Sequence, residues 1–456
     1  MKYFRLFVIF ILHATLSLAG CRTSQSDLHV KNIILLIADG CGYNQVNAAN
    51  LYRYGKTGTT AYENFPLVCA VSTYSASSIG YDPEKMWASF EYALKKPTDS
   101  AAAATSLACG VKTYNGILGM DTTYTVVENI SERAEELGKS SGVITTVPFN
   151  HATPAGFAAH DSSRGHYAAI GKQMIMGKME VIMGCGHPEY DDNGQSIPVP
   201  DYSRWGGPEK WQALKDGKTG KDADGDGIDD PWTFVDARSD FRKLMTGETP
   251  KRVFGLARAA STLQRSRTNG DPKAPPFTVP FNQDVPDLAE MTRGALNVLD
   301  NDPDGFFVMI EGGAIDWAGH ANQSGRIIEE KIDFDKAIEA VINWVETKSS
   351  WNETLVMITG DHETGYLMGP GSGNDSLLAE GGINAVWVPL ASNGKGEEPG
   401  MEWHSGGHTN QLIPFYAKGA GSEIFDDYTD QSDPVRGRYI DNTEVAKVMF
   451  KLWRKK

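Results

Sequence analysis

The chain is short of cysteine, of basic charge and of long apolar runs, and each shortage closes off a class of explanation. Five cysteines occur in 456 residues and no two form a CxxC pair, so a cysteine zinc module is excluded. Lysine and arginine total 43 against 58 acids, and the formal charge of −15 argues against a nucleic-acid or anionic-membrane surface. The strongest apolar run, Leu6–Leu12, is too short and too interrupted to span a bilayer. Internal repeats are absent. An anionic substrate survives these exclusions, because a few metal ions can reverse the field inside one cleft.

What is present begins at the N-terminus. "MKYFRLFVIFILHATLSLAGC" places Lys2 and Arg5 before the apolar run and small residues up to Cys21, the pattern of a secretory signal over residues 1–20. "LAGC" at 18–21 resembles a bacterial lipobox. That implies lipidation of Cys21, a tether over 21–30, and a lipid-anchored protein of the periplasm or outer membrane of a Gram-negative-type bacterium. A soluble exported protein with an incidental cysteine is the plainer alternative. Export permits disulfides among Cys41, Cys69, Cys109 and Cys185; four cysteines allow three pairings, and the sequence does not choose.

The remaining length suffices for a large α/β unit. Continuous apolar runs end in polar or glycine clusters at "NIILLIADG" (32–40), "SGVITTVPFNH" (141–151), "GFFVMIEGG" (305–313) and "TLVMITGDHE" (354–363). Such runs suit strands buried on both faces of a parallel sheet. Between them, Ile327, Ile328, Phe334, Ile338, Val341, Ile342 and Val345 recur at helical spacing, and 125–138 reads as a second helix closed by Gly138. The expected fold is a doubly wound α/β sandwich, with a mostly parallel central sheet and helices on both faces. Residues 187–275 and 370–403 read as irregular insertions built over the sheet edge rather than in it.

Ligands of open α/β sheets gather beyond the carboxyl ends of the strands, where this chain places Asp39, Glu311, Asp361 and His362. In "EGGAIDWAGHANQ" (311–323), Asp316 and His320 stand four apart and share one side of a helical turn, a spacing suited to a divalent ion or to a surface ion pair. His404 and His408 precede a further apolar run. In "PTDSAAAATSLACGVKTYNG" (97–116), Asp99 and Ser100 suit the cap of an alanine-rich helix. The same geometry gathers free N–H groups around Ser100, where a phosphate can sit. "DADGDGIDD" (222–230) carries Asp222, Asp224 and Asp226 with Gly227 at the turn, like the first half of a calcium loop. Thr233 replaces the closing glutamate, so the readings are a structural Ca²⁺ or a solvated acidic loop.

Six motifs in order resemble those of the alkaline phosphatases: "IADGCGYNQ", "TDSAAAAT", "HATPAGFAAHDSSR", "EGGAIDWAGH", "TGDHETG" and "GGHT". The resemblance implies one catalytic domain over 31–456, with Ser100 as nucleophile and Arg164 holding two phosphate oxygens. It implies two zinc ions, one on Asp316, His320 and His408, the other on Asp39, Asp361 and His362. A third ion, usually magnesium, would take Asp39, Thr153 and Glu311. His151 and Trp317 stand where other members have aspartate and lysine. They imply altered selectivity there, toward zinc or cobalt. His404 matches no ligand position, and Cys41 replaces a common methionine beside Asp39, which would put a thiol near the metals. The implied reaction is hydrolysis of small phosphate monoesters through a phosphoserine, by a homodimer without nucleic-acid partners. The alternatives are a phosphodiesterase of the same superfamily, or a non-catalytic surface lipoprotein that binds metal or phosphate.

Overall fold

Successive residues of the strand Asn32–Ala38 face opposite cores. Ile33, Leu35 and Ile37 join one, and Ile34, Leu36 and Ala38 the other. The strand Thr354–Gly360 divides its residues the same way, as does Phe306–Glu311. This two-sided burial, worth roughly 1.5–3 kcal/mol per large apolar side chain, is why the runs read as continuous rather than alternating.

The computed structural model describes residues 29–455. The expected signal segment, Cys21 and the tether as far as residue 28 lie outside them. The sheet has eleven strands. From one edge they run Gln431–Asp433, Gly437–Asp441, Leu67–Ser72, Ile413–Gly419, Thr354–Gly360, Asn32–Ala38, Phe306–Glu311, Ser140–Pro148, Val181–Cys185, Val253–Leu256 and Thr233–Val235. Pairing is parallel from Thr354–Gly360 to Thr233–Val235, whereas Ile413–Gly419 is antiparallel to both its neighbours. Helices Ser100–Cys109 and Asn442–Leu452 pack on one face; Tyr43–Tyr54, Leu288–Leu299 and Ser324–Lys348 pack on the other. The sandwich is the expected α/β fold. Among the described residues no helix is long and apolar enough to cross a membrane.

Expectations for several segments need correction. The segment 187–275 is not wholly outside the sheet, because Val253–Leu256 and Thr233–Val235 extend it beyond Val181–Cys185. The short strands are hard to see among so many glycines and acids. The helix expected over 125–138 spans only Ile130–Glu136. Asn129 and Glu132 cap it reciprocally, while Asp121 holds the preceding residues in a turn through the N–H groups of Thr123 and Thr125. Cys41, Cys69, Cys109 and Cys185 are all free, buried thiols. Cys41 turns into the core beside Val46, Tyr62 and Phe334, where burial pushes its thiol up to about 12. The long helix Ser324–Lys348 also buries Glu329, Lys331 and Asp335, since structure surrounds its first half; Lys331 pairs with Asp335, and both meet the Tyr62 hydroxyl.

Candidate active site

Register sets the site's first level. Ala38 aligns with Gly360, Ile37 with Glu311, and Glu311 with Thr145 on adjacent parallel strands. Asp39 and Asp361 therefore leave neighbouring strands together at the carboxyl edge, beside Glu311. The Gly40 amide donates to Asp361 Oδ1 (3.0 Å), as does the His362 amide (2.9 Å). Gly40 has φ +71°, and a Cβ there would lie 2.6 Å from Asp316 Cα, so glycine is required for this turn to pass the helix Ala314–His320.

Three buried acids thus crowd together without enough donors. Both carboxylate oxygens of Asp39, Oδ2 of Asp361, Oε1 of Glu311 and the Thr153 hydroxyl find no hydrogen-bond partner among the described residues. Burial and the charges of Asp361, Asp316 and Glu311 raise Asp39 well above the usual carboxylate range. Burial likewise lifts Asp361 to about 6 and Glu311 to about 7. A buried cluster this poor in donors calls for protons or cations, and its hard oxygens suit divalent ones.

The second level is imidazole. His320 Nδ1 contacts the Gly406 carbonyl (2.7 Å) and His408 Nδ1 the Thr98 carbonyl (2.8 Å). Each ring thereby turns its Nε2 inward; the two Nε2 atoms stand 3.1 Å apart and lie 3.4 and 3.5 Å from Asp316 oxygens. Carbonyls anchoring the outer nitrogens are how proteins aim imidazole lone pairs at a metal. A positive charge must lie between these nitrogens. Even against burial, Asp316 raises His408 to about 8. Asp316 itself is held well below the usual range: burial opposes this, but the His408 hydrogen bond and the imidazole charges prevail. Thr364, quoted in the sequence but not singled out, donates to Asp316 Oδ1 (2.5 Å) and orients it.

His362 joins the two groups. Its Nε2 is 3.1 Å from Asp361 Oδ2 and 3.6 Å from Asp39 Oδ1, and its ring stacks on His408 with centroids 3.6 Å apart. Burial, then the nearby His408 charge, depresses its pKa and keeps it neutral, as a ligand must be. Among the described residues, Asp39, Asp361 and His362 form one metal-sized cluster, and Asp316, His362 and His408 another.

Ser100 opens the helix Ser100–Cys109, and Asp99 caps it by accepting from the Ala102 amide (3.0 Å). Ser100 Oγ lies 3.3 Å from His362 Nε2. Asp99 Oδ2 accepts from Arg164 Nη1 (3.0 Å), so one carboxylate fixes both the helix end and the guanidinium. Arg164 Nη2 is 3.4 Å from His151 Nε2; His151 meets Trp317 edge to face, its Nδ1 is buried without a partner, and burial with Arg164's charge lowers it to about 3. These groups surround a cavity of about 480 Å³, ample for a small ligand. Arg265 also lines it, and sequence reading missed that residue, since nothing marks it within 187–275.

The acidic loop differs from its expectation. Asp222 and Asp224 converge with Asp230, not with Asp226, whose carboxylate accepts from the Ile228 amide. Lys251 Nζ lies 2.6 Å from Asp224 and 2.8 Å from Asp230, which supplies the loop with a cation of its own.

Comparison with known proteins places the chain in a family. A family model described as alkaline phosphatase matches residues 30–387. Alkaline phosphatase 3 of Bacillus subtilis is 29% identical, over 92% of this chain and 88% of that protein. Alkaline phosphatase of Escherichia coli is 27% identical, over 91% and 86%. The solved alkaline phosphatase of the Antarctic bacterium TAB5 is 26% identical with a TM-score of 0.62, covering 94% of this chain and 100% of that one. Variants of that enzyme with a histidine replaced by glutamate or aspartate carry Mg in the M3 site and align with a TM-score of 0.63.

Proposed function

The chain belongs to the alkaline phosphatase family of phosphate monoester hydrolases, and from that premise we propose that it works through a phosphoserine on Ser100 with two zinc ions and a third divalent ion. Asp316, His320 and His408 would hold one zinc, and Asp39, Asp361 and His362 the other. Asp39, Thr153 and Glu311 would hold the third ion, magnesium being the usual occupant. The partnerless oxygens of Asp39, Asp361, Glu311 and Thr153 support this assignment. When bound, such ions supply Lewis acidity and positive charge where the entering and leaving oxygens become anionic.

The protein's own groups do the rest. Arg164, fixed by Asp99, clamps two non-bridging oxygens, and the N–H groups at the start of the helix Ser100–Cys109 face the same anion. Ser100 Oγ attacks phosphorus in line, loses its proton and forms the Oγ–P bond as the ester P–O bond breaks; the departing alkoxide takes up a proton. Water then attacks the phosphoserine, releasing inorganic phosphate and restoring the hydroxyl. Two inversions leave the configuration at phosphorus retained. Ser100 Oγ at 3.3 Å from His362 Nε2, beside the cation-demanding acids, is the observation that carries this reading.

His151 would place an imidazole beside the third site, where an aspartate–lysine pair would favour a water-rich magnesium. In the TAB5 enzyme, variants with a histidine changed to glutamate or aspartate hold Mg in the M3 site, which is in keeping with reading His151 as a residue that shifts this preference. We further read the chain as exported, lipid-anchored through Cys21 and homodimeric, with Asp222 and Asp224 left as a candidate calcium loop. The deciding assay is turnover of p-nitrophenyl phosphate against bis(p-nitrophenyl) phosphate. Preference for the monoester is expected; preference for the diester, or no turnover of either with zinc and magnesium supplied, would overturn the proposal.

A further inference from the structure

Two arginines two residues apart have opposite fates. Arg267 is buried and fully engaged: Nη2 meets Glu329 (2.8 Å) and the Val279 carbonyl (3.1 Å), Nη1 the Gln264 carbonyl (3.0 Å) and Nε the Pro280 carbonyl (3.0 Å). Arg265 has a single side-chain hydrogen bond among the described residues, from Nε to Gln323 Oε1 (3.0 Å). Among the described residues no acid forms an ion pair with it. Asp192 accepts from Ser261 and Thr262, Asp316 belongs to the imidazole cluster, and buried Glu330, the acid whose charge acts most on Arg265, makes no hydrogen bond to it.

The position of Arg265 is nonetheless fixed. The Leu263 amide donates to the Thr146 carbonyl (3.2 Å), the Ser266 amide to Thr262 Oγ1 (2.8 Å), and buried Leu263 and Arg267 pin the chain on both sides. Gln323 is itself buried at the start of the helix Ser324–Lys348 and holds the guanidinium by one edge. Arg265 lines the cavity together with Ser100, Arg164, Trp317 and His320. An arginine held by a neutral amide, with no ion pair, in an anion-binding cavity keeps its charge for a ligand. In the reading above Arg164 serves the transferred phosphoryl group, and the cavity of about 480 Å³ is larger than a phosphate alone requires.

We propose that Arg265 is a specificity residue that binds a second anionic group, carboxylate or phosphate, on the alcohol portion of the monoester. The preferred substrates are therefore small phosphate monoesters with a further negative charge. This rests on the monoesterase reading above.

The test compares kcat/KM for 3-phosphoglycerate and glycerol 1-phosphate, alcohols that differ by a carboxylate, in wild type and in Arg265→Gln and Arg265→Lys. Wild type is expected to prefer the carboxylate ester roughly ten- to hundredfold, the scale of one charge-assisted contact. The ratio falls to within about threefold of unity in Arg265→Gln and is partly kept in Arg265→Lys. Competition between phosphonoacetate and methylphosphonate, measured by calorimetry on the metal-loaded protein, should show the same loss of discrimination. A wild-type ratio near one, or a preference that survives in Arg265→Gln, overturns the proposal. Proportional loss on both substrates also overturns it, since it would place Arg265 on the transferred group. Failure of wild type to hydrolyse either ester tells instead against the monoesterase reading.

Discussion

Ser100 Oγ stands 3.3 Å from His362 Nε2, which joins the first residue of a helix to the last level of a strand edge far away in sequence. The hydroxyl is held beside the nitrogen that the proposal gives to a zinc ion. Ser100→Ala should lower turnover of p-nitrophenyl phosphate by at least ~10³-fold, the scale for loss of a covalent nucleophile. Bound zinc, measured by elemental analysis, should remain within error of wild type. Turnover close to wild type in this variant would remove Ser100 from the mechanism.

Asp99 ties the helix cap to Arg164, so the clamp is built before any ligand arrives. Arg164→Ala should raise the inhibition constant for inorganic phosphate by roughly ten- to hundredfold, one or two charge-assisted contacts. The competitive inhibition constant reports this directly. An unchanged constant would put the phosphate on another group.

Much of this was legible because parallel strands buried on both faces announce themselves as apolar runs, and their carboxyl ends then locate Asp39, Glu311 and Asp361 without further information. What the sequence hid was of two kinds. Val253–Leu256 and Thr233–Val235, the last two strands at one end of the sheet, are brief and lie inside a stretch whose glycines and acids resemble loop. Arg265 and Thr364 act through distant partners, Gln323 and Asp316, and such pairings leave no local pattern. Buried Lys331 and Asp335 look like a solvated helix face until Tyr62 is seen against them.

His151 and Trp317 meet edge to face beside Arg164. The double variant His151→Asp, Trp317→Lys should shift the third site toward magnesium. Metal-depleted protein given zinc should then gain more activity from added magnesium than wild type does, and respond less to cobalt. An unaltered metal-activation profile would show that these two residues do not tune the site.

Glu180 lies far from this chemistry, in the cavity that also contains Lys178 and Asp302, and burial with its neighbour Glu135 pushes its carboxyl up to about 8. Folding thus favours the protonated form. In the unfolded chain the group ionises near its ordinary value of 4.5, so its contribution to stability is fully present below that pH and lost as pH climbs toward 8. Glu180→Gln keeps an acceptor for the Ser141 amide but cannot ionise. Its stability relative to wild type, from urea unfolding, should rise between pH 5.5 and 9. A difference that stays flat across that range would contradict the assignment.

The central claim, covalent transfer to Ser100, is tested most directly by acid-quenching the metal-loaded enzyme during turnover of a phosphate monoester and mapping phosphorylated peptides by mass spectrometry. The expected result is one phosphate on Ser100, within the peptide around residues 97–116, present during turnover and absent without substrate. Rapid turnover with no phosphoenzyme at any quench time, or phosphate on a different residue, would contradict it.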